Sequence, residues 1–392
     1  MKEKGITVHA VITDPPYNLA SIVKRFGKAS KKEVKTQNDK AKTVNGSFAR
    51  VAKGFLGKEW DSDIAFSKEF WDKIYNVTKP GGWVVAFGGT RTYHRMTTAI
   101  EDAGFEIRDC LGWCYVSGMP KSFDIAKAID KKLGKKRKII GKHKALTTAR
   151  YAEVANGGKN KSTGNIYDAK PISKLAKKWN GYHVALKPAW EPIVIARKPL
   201  ESTIIENLKK HETGAMNVDK MRVKPKPDDK ITIHKIKGGG LLKGYKGGVR
   251  PDYSLHEKGR YPANAIFEQH DIIQYIAKEQ GVDLNRFFFC PKVNKSERLN
   301  SKHPTIKPMK LMKYLVKAFS REGQIVLDPF SGSGSTIQAC LELNRKGLGI
   351  EKEAEYFKDI GDRLTHAKEK ITNIKPKRAE KRKAKRRKTL KP

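Results

Sequence analysis

The chain is 392 residues long and carries 82 Lys+Arg against 41 Asp+Glu, a formal charge of +41. That length can bury a sizeable core, and the charge calls for a polyanionic partner, nucleic acid well ahead of an anionic membrane surface, with a lysine-rich composition explaining part of the excess. No apolar stretch is long enough to cross a membrane, no signal-peptide pattern opens the chain, and the four cysteines are scattered without zinc spacing, so an intracellular, reduced and metal-free protein is expected.

An apolar run from Ile6 to Thr13 is stopped by Asp14-Pro15-Pro16-Tyr17. Proline removes ladder donors and fixes φ, so the stretch reads as a strand ending in a rigid turn. An acid, a stiff turn and an aromatic ring make a small site for a flat nitrogen-bearing ring. Asp14 and the proline-held carbonyls can accept hydrogen bonds from an amino group, and Tyr17 can stack on the ring. An ordinary β-turn with a core tyrosine is the plainer alternative. Residues 20–53 are polar and aperiodic, a loop that is either a lid over a bound base or a surface insertion.

Residues 67–77 read as a helix packed by Phe70, Trp71, Ile74 and Tyr75; 79–82 as a turn; 83–87 as a buried strand; 91–103 as a helix; and 105–115 as a strand. This alternation predicts a doubly wound, parallel α/β sheet. Residues 131–144 hold eight Lys/Arg and open an insertion, 131–180, outside the sheet; Lys135, Lys136 and Arg137 are candidate phosphate contacts, with solvated side chains as the alternative. Residues 193–196 form a short strand. The chain then leaves the sheet pattern over 200–286, where the basic, glycine-hinged stretch 221–250 offers Lys243, Lys246 and Arg250 as further phosphate contacts. Residues 271–277 read as a short helix and 286–290 as a strand.

His303-Pro304-Thr305-Ile306-Lys307-Pro308 precedes a helix at 309–319 whose apolar face is Leu311, Met312, Leu315 and Val316. Next comes the strand Ile325-Val326-Leu327, the turn Asp328-Pro329-Phe330-Ser331-Gly332-Ser333-Gly334, a helix from about Thr336, and a strand at 347–350 closed by Glu351. Glycines let the backbone approach a ligand closely, the helix N-terminus adds its dipole, and a strand-terminal acid suits ribose hydroxyls. A last helix, 353–371, is followed by 375–391, with eleven Lys/Arg against one acid, read as a disordered basic tail that tethers electrostatically to phosphates.

These two turns, in this order, resemble the amino-group DNA methyltransferases of the beta group, whose Asp-Pro-Pro-Tyr comes first and whose glycine-rich loop comes last. Further blocks fall in family order: Gly54-Phe55-Leu56-Gly57-Lys58-Glu59-Trp60-Asp61, Gly81-Gly82-Trp83 with Phe87-Gly88-Gly89-Thr90-Arg91, Lys187-Pro188 with Glu191-Pro192-Ile193, Gly259-Arg260-Tyr261-Pro262-Ala263-Asn264, and the His303 block. The resemblance implies a mostly parallel, seven-stranded, circularly permuted methyltransferase sheet with an inserted DNA-recognition region. It divides the chain into a catalytic half (1–199), a target-recognition region (200–286), a cofactor half (287–372) and the tail (373–392).

What the resemblance implies about chemistry is methyl transfer from S-adenosyl-L-methionine to an exocyclic amine of double-stranded DNA after base flipping. Asp14, Pro15, Pro16 and Tyr17 would be catalytic. Asp328, Phe330, Gly332, Gly334, Glu351, Thr305 and Lys307 would hold the cofactor, and no metal is implied. Asp in the tetrapeptide favours adenine N6; cytosine N4, or a catalytically impaired DNA-binding protein of the same fold, are the alternatives. A homodimer and a paired restriction endonuclease are left open, and the setting implied is the cytoplasm of a bacterial or phage-infected cell.

Overall fold

The computed structural model describes residues 5–17, 63–116, 122–142, 165–167, 170–224, 258–269, 287–291 and 305–389, with isolated positions such as Gly118, Ser301 and His303. The 20–53 loop, the 54–61 block, most of the 271–277 helix, and Lys243, Lys246 and Arg250 lie outside the described residues.

The strands are β1 (Val8–Thr13), β2 (Thr78–Phe87), β3 (Glu106–Cys114), β4 (Ile139–Lys142), β5 (Asn165–Tyr167), β6 (Trp190–Arg197), β7 (Ala265–Phe267), β8 (Phe288–Phe289), β9 (Ile325–Asp328) and β10 (Lys346–Gly349). The helices are α1 (Lys68–Val77), α2 (Tyr93–Asp102), α3 (Ile125–Lys132), α4 (Lys174–Lys178), α5 (Ile204–His211), α6 (Val218–Met221), α7 (Met309–Phe319), α8 (Ser335–Glu342) and α9 (Ala354–Thr389). Eight strands join one sheet in the order β10-β9-β1-β2-β6-β3-β7-β8. That is one more than the seven expected, and the eighth is the two-residue β8. All pairings are parallel except those of β6, which runs against both β2 and β3.

Alternation along the central strands fills both faces, as a sheet buried on two sides requires. In β2, Trp83, Val85 and Phe87 point to the layer of α7, where Leu311, Leu315 and Phe319 pack. Val84 and Ala86 point the other way, to Trp71 and Ile74 of α1 and Met96 and Ile100 of α2. The result is a three-layer sandwich. Strand β1 leads on one side to β2 and pairs on the other with β9, so chain direction across the sheet reverses between β1 and β9. In an open parallel sheet ligands gather beyond the carboxyl ends of the strands at that switch.

Four expectations change. The 79–82 turn lies inside β2 as an irregularity: register passes from Val8↔Thr78 straight to Ala10↔Trp83, with Gly81 at φ +75°. Glycine and proline mark a break in the ladder without ending the strand. Second, the described parts of 200–286 belong to the sheet domain. Asn207 of α5 donates to the Pro80 carbonyl at 3.1 Å, and β7 pairs with β3. A three-residue strand carries too little periodicity to be read. Third, helix α9 continues to Thr389, where a disordered tail was expected from 373; its Lys, Arg and Ala residues are good helix formers. Fourth, Arg137 is not a surface cation. It is buried, and its Nε donates to Asp130 Oδ2 at 3.0 Å.

Candidate active site

Strand β1 delivers Asp14 to the carboxyl edge of the sheet, and the buried Pro15 and Pro16 fix the turn. Tyr17 is buttressed from the next strand: the Thr92 hydroxyl donates to the Tyr17 carbonyl at 2.9 Å. A Cβ on Gly89 would stand 3.2 Å from the Tyr17 ring, so the Gly88-Gly89 pair after β2 leaves room for it. Because β6 is antiparallel, it contributes its first residues to this same edge, and among them is Glu191.

The side chains converge. Asp14 Oδ1 accepts from the Tyr17 hydroxyl at 2.9 Å, and Oδ2 lies 2.7 Å from Lys307 Nζ. Lys307 also reaches Glu191 Oε2 at 3.2 Å and the Tyr17 oxygen at 3.3 Å. Tyr17 is within 3.2 Å of the same Glu191 oxygen, and Tyr115 donates to the other at 3.4 Å. Tyr17 has one phenolic proton for two carboxylates, so it serves one at a time. The ammonium sits 4.8 Å from the centre of the Phe87 ring, within cation–π range.

Burial pushes the Asp14 carboxyl up, against the pull of Lys307. It pushes the Tyr17 phenol far up as well, and both carboxylates add to that. For Lys307 burial acts to lower the ammonium, but Asp14 and Glu191 outweigh it and hold the amine protonated. The cluster is therefore a cation held between two acids, with a phenol as a shared donor.

One strand away, β9 ends on Asp328. Asp328 Oδ1 accepts from the Thr13 hydroxyl at 2.7 Å and from the Phe330 N–H at 3.2 Å, tying the two strand ends together. Burial raises this carboxyl to about 6. Gly332 and Gly334 take φ +50° and +83°, values that L side chains rarely adopt. A Cβ on Gly332 would lie 2.9 Å from His303 Nε2, and one on Gly334 would be 3.3 Å from Ile360 backbone. Arg363 of α9 locks the turn from behind, donating to the Ser333 carbonyl and Gln338 Oε1, each at 2.9 Å. Glu351 follows β10 and accepts from Gly332 N–H at 2.7 Å and Glu353 N–H at 2.9 Å.

This turn fits a nucleoside-type cofactor such as S-adenosylmethionine. An ionised carboxylate has about four acceptor sites, so the two N–H bonds to Glu351 leave room for a ribose diol. The glycine backbone permits close approach, and Phe330, 5.1 Å centroid to centroid from Phe70, supplies an apolar wall. Thr305 is exposed, and its N–H donates to His303 Nδ1 at 3.3 Å, which places it on the rim through His303. Burial lowers the His303 imidazole to about 4, so the ring packs as a neutral group beneath Gly332.

The expected residues thus fall into two neighbouring groups, with Lys307 on the other side from its expectation. It was expected with the cofactor and stands in the Asp14 cluster. Lys135 and Lys136 are exposed, far along the chain from both turns. Glu191 was within a quoted block but not among the candidates. Its sequence signal is an acid directly before a proline and the apolar run of β6, the mark of a strand's first residue. Arg363 gave no signal, since an arginine in a basic helix reads as solvated. Among the described residues no three His, Cys, Asp or Glu side chains group as metal ligands, and no helix is long and apolar enough to cross a membrane.

Known proteins resemble this chain. Type II methyltransferase M.HindIII of Haemophilus influenzae is 26% identical over 373 residues, covering 91% of this chain and 89% of that protein. DNA adenine methyltransferase YhdJ of Escherichia coli is 48% identical over a shorter stretch of 56 residues, 14% of this chain and 19% of that one. Among solved structures, the M1.HpyAVI–SAM complex aligns at a TM-score of 0.39 with 16% identity, covering 93% and 91% of the two chains. The DNA methylase family of N6- and N4-methyltransferases matches residues 8–362, nearly the whole chain, and the protein belongs to that family.

Proposed function

We propose that this DNA methyltransferase acts on the N6 amine of adenine, with Asp14 as the group that receives it. One observation carries the placing of an amine at Asp14: its Oδ2 already holds an N–H donor, the Lys307 ammonium, at 2.7 Å at the carboxyl edge, one strand from the cofactor turn, an arrangement that serves an adenine or a cytosine amine alike. A target amine can take that place. S-adenosylmethionine supplies an electrophilic methyl group on a sulfonium. An exocyclic amine is a poor nucleophile because its lone pair is delocalised into the ring. Hydrogen bonds to Asp14 and to the Pro15 carbonyl orient it so that the lone pair points away from the ring plane, and such placement supplies most of the rate.

For the amine to reach Asp14, Lys307 must give up that carboxylate. Glu191, 3.2 Å from Nζ, keeps the ammonium paired while it does so. The released Asp14 then faces the charge that grows on nitrogen, and either acid of the cluster can receive the proton the methylated amine sheds. In duplex DNA the target must leave the stack to reach this turn, and Tyr17 would pack against the flipped base.

Adenine is favoured over cytosine because the Asp form of the tetrapeptide is usual in N6 enzymes, and the local identity with YhdJ points the same way. Methylation of unmodified DNA, nucleoside digestion and mass spectrometry test it. N6-methyladenine is expected; N4-methylcytosine alone would overturn the substrate while leaving the class of reaction.

A further inference from the structure

We propose that residues 122–142 and 170–190 of the insertion between β3 and β6 form a rigid docking module that grips duplex DNA beside the catalytic edge, a reading that rests on DNA being the substrate. Its placement follows from strand direction. Strand β3 is parallel to β1 and β6 is antiparallel, so the chain leaves the sheet after Cys114 and re-enters at Trp190 on the edge that carries Asp14. The neck is pinned there: Tyr115 N–H donates to the Ala189 carbonyl at 2.7 Å, and Lys187 reaches the Val116 carbonyl. Its last residues run straight into Glu191.

The module is held from within. Helices α3 and α4 pack on each other, and β4 and β5 pair only with one another as a ribbon outside the main sheet. The buried Asp130 joins the parts: it accepts from Arg137 Nε, from the Ile172 and Ser173 N–H groups and from the Ser173 hydroxyl, all within 3.1 Å. Burial alone would raise this carboxyl, and these bonds hold it well below the usual range. The Ile125 N–H donates to the Tyr182 carbonyl, and Ala185 N–H to the Ser122 hydroxyl, so the strand leading back to β6 is fixed to the start of α3.

Among the described residues its surface has one sign. Residues 122–142 and 170–190 contain thirteen Lys or Arg and two Asp. Both acids are consumed internally, Asp130 as described and Asp124 as the cap of α3, accepting from Lys127 N–H at 2.9 Å. Lys131, Lys132, Lys135, Lys136, Lys177 and Lys178 are all exposed, and among the described residues of the module no carboxylate is left to face them. Among them stand Trp179 and Tyr182, edge to face at 5.1 Å and 41% and 57% exposed, with Leu186 at 92%. A solvated lysine face has no need of bare aromatic and leucine side chains. Lysines for phosphates with apolar groups for sugar and base faces match a duplex in chemistry. The buried Arg137 is the brace, and the lysines on either side of it are the contacts.

Salt dependence of duplex binding tests this. Each lost phosphate contact flattens the slope of log K against log salt by about 0.9. The K135Q/K136Q and K177Q/K178Q proteins should each bind a duplex more weakly, with slopes flattened by about 1.8. The control is K209Q/K210Q on α5, which packs at Pro80, near the amino end of β2 on the opposite edge, and should match wild type. Thermal melting and calorimetric titration of S-adenosylmethionine should be unchanged throughout, since all these lysines are exposed. Trp179→Ala should weaken duplex binding without changing the slope. Module variants whose affinity and slope equal those of the α5 control would overturn the proposal. Loss of duplex binding by the wild type itself would instead remove the DNA reading on which it rests.

Discussion

At the end of β1, Asp14, Glu191, Lys307, Tyr17 and Tyr115 crowd into one cluster held by charge, whereas at the end of β9, one strand away, the turn is held by backbone shape and mainly by neutral donors. Asp328 is tied by a threonine hydroxyl and a peptide N–H, and glycines at positive φ shape the rest. The first arrangement can exchange partners: an ammonium leaves one carboxylate for another at little cost while both stay inside the cluster. The second cannot rearrange without breaking the strand end. On the proposed function, the site that admits a base and then releases it is built from exchangeable charges, and the site that presents the cofactor in one pose is built from fixed backbone.

The sharpest way to break this contrast is Asp14→Ala. It should lower methylation by at least about a thousandfold, since it removes the acceptor for the amine, while calorimetric affinity for S-adenosylmethionine stays near wild type. Near-normal turnover would move the chemistry elsewhere. Lys307→Ala comes next. It leaves two acids adjacent without their cation, and urea denaturation at neutral pH should show a loss of about 3 kcal/mol. Adding Glu191→Ala should restore part of it, because the repulsion then disappears; simple additivity of the two losses would mean that the cluster is not coupled.

Asp328 sharpens the other half. Its carboxyl titrates at about 6 in the fold, above the ordinary 3.8. A raised carboxyl contributes stability that is fully present below the unfolded value and is lost as pH rises through the folded one. Wild type should therefore give up about 3 kcal/mol of this contribution between about pH 4 and pH 6. Asp328→Asn keeps a carbonyl acceptor for Thr13 and should not show that loss. Denaturation curves at several pH values would settle it, and parallel profiles for the two proteins would contradict the assignment. The smallest effect is expected at Glu351. Glu351→Ala removes acceptors for the ribose and should weaken S-adenosylmethionine binding by about 2 kcal/mol, roughly thirtyfold, with little change in melting temperature.

The two halves also differ in how far the sequence reveals them. Asp328, Gly332, Gly334 and Glu351 come from one continuous stretch, so strand, turn, helix and terminal acid could be read in order, and the helix at Met309–Phe319 was legible to the residue from its apolar face. Asp14 was legible because two prolines mark the end of β1. Its partners were not. Glu191 and Lys307 arrive from strands and loops 177 and 293 positions away, and only the antiparallel course of β6 brings Glu191 to this edge. Arg137 shows the same limit from the other direction. A run of lysines and arginines reads as one surface, and nothing local announces that a single member turns inward to a buried Asp130.

The bond between Thr13 and Asp328 spans 315 residues of chain. During synthesis β1 emerges before β2 and can pair with it early, but its other edge has no partner until β9 arrives much later. Until then the sequence Val-His-Ala-Val-Ile-Thr offers an open, apolar strand edge. Closing it late, across so long a loop, makes this pairing a slow step of assembly. Chains truncated before residue 325 would be left with an adhesive edge at the very strand that carries the Asp14 turn. Shortening the carboxyl half would therefore be felt in expression yield as well as in the loss of the Asp328 turn.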